Sequence, residues 1–313
     1  MYTFIRYNAE SQRTWDEFVG RSRNATFLFL RGYMDYHADR FADCSLMAYK
    51  GEKLVALLPA NITADSVLHS HQGLTYGGWI LPRAHFNGAD MMEMWGEWME
   101  WCRAQGIKTI DYKPLPWIFA TQPSQEDIYA LWRHGARIDS VQISSTIDNG
   151  RNPGLYPQKR AQARKAATSG AVLMETNDVD GVMSLVAECL AARHDAKPVH
   201  TAAELTLLKD RFSDNIRCFG AYLDGRLEAA IVMYVTDRVA HSQYTGTTPM
   251  AREKKLLTWL HEWLINDIFA DRRYFDFGTS NEDGGHYLNA GLLSNKTSLG
   301  ATATAFTRYR LDL

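Results

Sequence analysis

Apolar positions along the chain fall into short blocks and then into helical stripes, and this succession occurs twice. From Cys44 to Gly78 an apolar run is broken at Lys50-Gly51, resumes, is broken again at Ala64-Asp65, and resumes at Val67. From Cys218 to Met250 the breaks fall at Asp224-Gly225 and Asp237-Arg238, with a third run from Val239. Each region predicts a three-strand meander, since glycine and short polar residues supply the turns. The third strands share V-x-H-S, as Val67-Leu68-His69-Ser70 and Val239-Ala240-His241-Ser242.

The segments after the two meanders also correspond. Met91, Trp95, Trp98, Met99 and Cys102 recur at helical spacing, as do Leu256, Leu257, Leu260, Leu264 and Ile268, so each predicts an amphipathic helix. Short strands come next, over Ile107 to Tyr112 and Tyr274 to Phe277. A further helix is expected from the N-cap candidate Ser124, with the acids Glu126 and Asp127 in its first turn, and another over Asp283 to Leu292. Asp148-Asn149-Gly150-Arg151-Asn152-Pro153-Gly154 is dense in turn formers and marks the boundary. Two units, 1–150 and 151–313, are therefore expected, each a mixed α/β repeat. The second opens on a basic helix, Tyr156 to Ser169.

Composition narrows the classes. The 313 residues are 46% hydrophobic and 22% charged, ordinary for a globular protein. A net charge of -2 provides no overall positive field for nucleic acid, so any such contact is local. Cys44, Cys102, Cys189 and Cys218 stand far apart without a C-x-x-C pair, which argues against a cysteine zinc site or a disulfide framework and for a reducing compartment. The polar N-terminus lacks a signal-peptide core and no stretch approaches a membrane span, so a cytoplasmic location is expected.

Lys159-Arg160 with Arg164-Lys165-Ala166 ahead of Gly170, the Tyr76-Gly77-Gly78 turn, and Lys296 to Gly300 as K-T-S-L-G stand in the order of similar motifs in one family. The tandem units resemble GNAT acyltransferases of the FemAB-like branch over nearly the whole chain. The resemblance implies an α/β fold of two GNAT-like units and an N-acyltransferase taking an acyl group, by direct attack of an amine, from acyl-CoA to a small or sugar-linked acceptor. Its alternative is aminoacyl-tRNA as donor to a cell-wall precursor; a third reading is a binding protein that keeps the fold without catalysis. The sequence departs from the acyl-CoA pattern, because Tyr244 to Arg252 holds one glycine where R/Q-x-x-G-x-G/A usually stands. Asn295 and Leu299 also replace aromatic residues of the closing motif.

Acyl transfer to an amine requires a free amine lone pair, stabilisation of an oxyanion, and a proton route. By resemblance Lys296 approaches the donor or the developing negative charge. On the third strand of the second meander, Tyr244 is a hydrogen-bond donor to the acyl or leaving group and His241 a possible base; three residues apart, they are expected on opposite faces. Glu282 is a candidate proton acceptor, with Asp276 to orient and Asn281 to bind, unless Asn281 or Asp283 caps the next helix. Thr247, Thr248 and Arg252 are candidates for CoA, and Arg160 and Arg164, four apart on one helix face, for phosphates of CoA, a nucleotide-linked acceptor or a tRNA end. In the first unit His71, Gln72 and Tyr76 are acceptor-binding candidates. His69 and His71 have a metal-compatible spacing on one strand face, but no third ligand is apparent and no metal is expected.

Overall fold

The computed structural model describes residues 1–194 and 197–313. Two compact units result: Met1–Gln142 with Gly284–His286 and Ala305–Leu313, and Ile143–Asp283 with Tyr287–Thr304. The first half thus contributes the end of its last strand to the second unit, and the C-terminal strand ends in the first.

The first unit contains β1 (Tyr2–Arg6), α1 (Gln12–Gly20), α2 (Arg31–Met34), β2 (Ala42–Asp43), β3 (Leu46–Lys50), β4 (Lys53–Leu58), β5 (Asn61–Ile62), β6 (Val67–His69), α3 (Gly88–Ala104), β7 (Thr109–Tyr112), α4 (Glu126–Arg133) and the start of β8 (Arg137–Asp148). Strands β1, β3 and β4 form an antiparallel sheet of their own. Strand β6 pairs with β5 and, in parallel, with β7, which takes Tyr309–Asp312 as its antiparallel neighbour. The meander expected in this half is therefore split between two sheets. Helix α3 starts with a reciprocal cap: the Asn87 side chain accepts from Asp90 N–H, and the Asp90 carboxylate accepts from Asn87 N–H. Its apolar stripe buries Met91, Met94, Trp95, Trp98 and Cys102 against Trp79, Ile110, Tyr112 and Leu311. Removing one such tryptophan costs about 3–5 kcal/mol.

The second unit contains α5 (Pro157–Ala167), β9 (Val172–Thr176), α6 (Val179–His194), α7 (Ala202–Arg211), β10 (Ile216–Leu223), β11 (Arg226–Val235), β12 (Val239–Thr247), α8 (Pro249–Lys254), α9 (Leu256–Trp263), β13 (Tyr274–Thr279), β14 (Asn281–Glu282), β15 (Tyr287–Leu288), α10 (Ala290–Thr297) and the start of β16 (Thr302–Asp312). Here the meander is continuous: β9, β10, β11 and β12 are antiparallel neighbours. Strand β13 runs parallel to β12 and antiparallel to the Ser144–Asp148 end of β8. The leucine stripe of α9 packs on Phe219, Ile231, Met233 and Phe275.

Two expected helix starts move. Ser124 does not cap α4; its hydroxyl accepts from Arg23 Nε at 3.1 Å, and Gln125 precedes the helix. The stretch from Asp283 is a single turn followed by β15, because Gly284 (φ 61) and Gly285 (φ 110) adopt left-handed backbone that ends a helix. Helix α10 begins later, where Asn289 Oδ1 accepts from Leu292 N–H at 2.9 Å. That shift carries Lys296 onto a helix. No helix among the described residues is long and apolar enough to cross a membrane.

Candidate active site

Strands β12 and β13 pair only from Val239, Ala240 and His241 to Tyr274, Phe275 and Asp276. Beyond that point they part, and a cavity of about 220 Å3 lies where they separate. Ser242, Thr245 and Thr247 of β12, Phe277 of β13, Leu257 and His261 of α9, and Asn295 and Lys296 of α10 line it. Cys189 and Leu190 of α6 close one side. Every lining residue belongs to the second unit.

Strict alternation fails on β12. A bulge at Gln243 shifts the register, so Val232 faces Tyr244 while Met233 faces Ser242. Ser242 and Thr245, three apart, share a face, and their hydroxyl oxygens lie 3.4 Å apart. The three-residue spacing of His241 and Tyr244 therefore does not place them on opposite faces, as a period of two predicts.

Lys296 is buried, and its ammonium donates to the carbonyls of Gly278 (2.9 Å) and Thr279 (2.8 Å). Burial pushes its pKa down to about 8, partly offset by the charge of Asp276. One N–H of the three remains beyond those two bonds. His261 is buried, and burial pushes its pKa down to about 3, with the cations of Lys159 and Lys296 acting in the same direction, so the imidazole is neutral at pH 7. Sequence reasoning missed this residue because it sits inside the leucine stripe; a histidine within an apolar stripe was the available signal.

Asp276 is fully buried. It accepts from the hydroxyls of Ser144 (2.6 Å) and Thr146 (2.7 Å) and pairs with His241 Nδ1 at 2.7 Å. Burial alone would raise its pKa, but the hydrogen bond and charge of His241 and the two hydroxyls hold the carboxyl below its ordinary range. Ser144 and Thr146 were also missed, since they come from β8 across a long stretch of sequence.

The other candidates are dispersed. The Tyr244 hydroxyl lies 2.6 Å from His200 Nδ1 and also accepts from His200 N–H, and burial raises its pKa. Neither Tyr244 nor His241 lines the cavity. Glu282 is exposed and accepts from Asn289 Nδ2, while Asn281 Oδ1 accepts from Ile143 N–H; neither caps a helix. Arg160 and Arg164 are exposed on α5.

The segment expected to take CoA is already engaged. The Thr248 hydroxyl bonds the Glu228 carboxylate and accepts from Ala251 N–H, so an acidic group stands at the start of the six-residue α8. Arg252 turns back to the Thr247 carbonyl at 3.0 Å. The lone Gly246 serves packing: a Cβ there would come within 2.9 Å of the α6 backbone. Thr247 is the one member of this group that reaches the cavity.

In the first unit two of the acceptor candidates, His71 and Tyr76, are buried, and Gln72 is exposed. His71 lies past the end of β6 in left-handed backbone (φ 71), so it does not share a strand face with His69, and its ring packs on His37 and Phe41. Burial and then His37 push its pKa down to about 3. Gln72 bonds Asn61, and the Tyr76 hydroxyl donates to Thr26. Gly77 is required by contact, since a Cβ would overlap the Ser70 carbonyl. His69 Nδ1 pairs with Asp111 at 2.7 Å.

Residues 157–287 match the acetyltransferase (GNAT) domain family. The second unit carries a GNAT domain. On that match the chain is an N-acyltransferase of the GNAT type. Lys296 lies beyond the matched residues. Solved structures extend the likeness to both units. FemX aligns with a TM-score of 0.70 at 10% identity, covering 99% of this chain and 97% of its own. The C-terminal domain of a putative lysylphosphatidylglycerol synthetase from Agrobacterium fabrum gives 0.63 at 14% identity, covering 98% and 92%. A tandem GNAT protein from the clavulanic acid biosynthesis pathway gives 0.57 at 14% identity, covering 100% and 98%. The fold is a FemAB-like tandem of GNAT units. No curated protein matches the chain by sequence.

Proposed function

We propose that the chain acylates an amine with the donor carbonyl held at Lys296. The observation that carries this reading is a buried lysine lining a cavity with one N–H beyond its two carbonyl bonds. In the proposed step the amine nitrogen forms a bond to the acyl carbon, and the carbonyl electrons move to oxygen beside the ammonium. The leaving group departs as the carbonyl reforms, and the proton that the amine releases passes to it, directly or through water. Neutral His261 accepts a hydrogen bond from the incoming amine; the ammonium offsets the oxyanion charge in a site of low dielectric.

The donor proposed is an aminoacyl ester. The Glu228 carboxylate at the start of α8 disfavours the pyrophosphate of CoA there, and an aminoacyl ester does not need that cradle. The likeness to a lysylphosphatidylglycerol synthetase domain supports the same class. Acyl-CoA is the second reading, favoured by the acetyltransferase match. The acceptor proposed is an amine on a small or sugar-linked molecule.

Lys296→Met tests the chemistry: transfer should fall about 10²–10³-fold with the thermal midpoint retained. Unchanged transfer would sink the assignment. RNase treatment and unfolding scans with acetyl-CoA separate the donors. A ligand at about 100 times its Kd adds about 2.7 kcal/mol of stability. Loss of transfer after RNase supports the ester; a raised midpoint with acetyl-CoA supports the thioester.

A further inference from the structure

The cavity beside Lys296 carries its polar and apolar groups in a regular order. On α9, Leu257 precedes His261 by four residues, and on α10 Leu292 precedes Lys296 by four. Each polar group therefore has a leucine on its own helix face, about 6 Å away along the axis. Phe277 and Leu299, both buried, extend the apolar lining. The hydroxyls of Ser242, Thr245 and Thr247 add polar surface without charge. No carboxylate lines the cavity among the described residues. Asp276, which acts on Lys296, is fully buried, lies outside the lining and already holds His241, Ser144 and Thr146.

Charge and size together restrict what such a cavity takes. A cationic chain would be buried beside Lys296 without a counter-ion, which costs far more than burial of an apolar chain of the same length. An anionic chain would hold the ammonium that the carbonyl needs. An apolar cavity of about 150 Å3 holds benzene, roughly 25 Å3 per carbon. On that scale the cavity of about 220 Å3 takes roughly nine non-hydrogen atoms. An acetyl group leaves most of that space empty, a long fatty acyl chain exceeds it, and a leucyl group fills it. We propose that the cavity selects an acyl group with an uncharged, apolar chain near leucyl in size, and that Leu257 and Phe277 set that choice. The proposal rests on the reading of the Lys296 cavity as the acyl site. It holds for an aminoacyl ester and a plain acyl thioester alike, since both present the chain to the same walls.

The test titrates carboxamides, whose carbonyl stands in for that of the donor, into the intact protein and follows them by ligand-observed NMR. Leucinamide and its des-amino counterpart 4-methylpentanamide should each bind about tenfold more tightly than lysinamide or acetamide. Leu257→Trp, which fills the cavity, should weaken both leucyl-sized amides about tenfold and leave acetamide unchanged, whereas Leu257→Ala, which widens it, should admit octanamide. The thermal midpoint reports whether each variant folds, and the comparison of amides on the parent stands without them. Lysinamide or acetamide within about threefold of leucinamide overturns the proposal, as does undiminished leucinamide binding in folded Leu257→Trp or no binding of any amide at about 20 mM. Tighter binding of leucinamide than of 4-methylpentanamide supports the selectivity with an aminoacyl donor, and the reverse order supports it with a plain acyl donor. These titrations need no turnover. Selectivity retained in a protein whose transfer is indifferent to Lys296→Met refutes the function and leaves the preference of the cavity standing. Lys296-dependent transfer of lysyl and leucyl groups at equal rates overturns the selectivity alone.

Discussion

The two units carry the same pair of residues at the same place and surround it differently. In each, a histidine from a V-x-H-S strand lies opposite an aspartate on the short parallel strand: His69 with Asp111, and His241 with Asp276, both at 2.7 Å. In each, burial pushes the pKa of a lysine down to about 8: the half-buried Lys113 in the first unit and the buried Lys296 in the second. The difference lies on the neighbouring antiparallel strand. There the first unit supplies Arg308, whose Nε donates to Asp111 at 2.6 Å and whose Nη2 bonds the second carboxylate oxygen. The second unit supplies the hydroxyls of Ser144 and Thr146. Asp111 raises the Lys113 pKa and Arg308 opposes it, whereas Asp276 raises that of Lys296 with hydroxyls in the place of the arginine. The Lys113 ammonium donates to the Leu74 carbonyl, whereas Lys296 lines a cavity. The same arrangement thus serves as a structural clamp in one unit and borders the proposed acyl site in the other.

The sharpest way to break this comparison is to treat both lysines alike. Lys296→Met should lower transfer about 10²–10³-fold, whereas Lys113→Met should leave it within about threefold. A large loss from Lys113→Met would place chemistry in the first unit. Next come the aspartates. Asp111→Asn strands Arg308 and should cost about 1–3 kcal/mol of stability in denaturant unfolding. Because the folded pKa of Asp111 is lowered to about 2, its contribution is complete above about pH 4 and is lost as pH falls toward 2, so the variant and the parent should converge in acid.

Asp276→Asn acts on Lys296. Removing a charge that raises the lysine pKa lowers it further, so the alkaline fall of transfer, centred near pH 8 in the parent, should move to lower pH. An unmoved profile would show that the ammonium is not the working form. The smallest effect is expected at Glu282→Gln, within about twofold, because that carboxylate is exposed on Asn289 and lies outside the cavity lining. A loss of a hundredfold would restore it as the base.

Much of the fold was legible. The doubled pattern of apolar blocks and stripes marked α3 and α9, the short strands β7 and β13, and the basic α5, because burial of one face imposes a period on the chain itself. Lys296 was legible through its K-T-S-L-G setting. Other parts were not. The Gln243 bulge inverts side-chain direction without a compositional mark, and the Asn289 cap overrides the nearer Asn281 and Asp283.

The sequence by itself determined the tandem α/β organisation and the residue types the chemistry needs, since periodicity and turn residues act over a few neighbours. Tertiary structure alone decided which of those residues meet. His241 finds Asp276, Asp276 finds Ser144 and Thr146 from the preceding half, and Glu228 reaches Thr248 at the start of α8. Such partners are selected by strand pairing between distant segments, and the desolvation that moves the Lys296 and His261 pKa values exists only once those segments have packed.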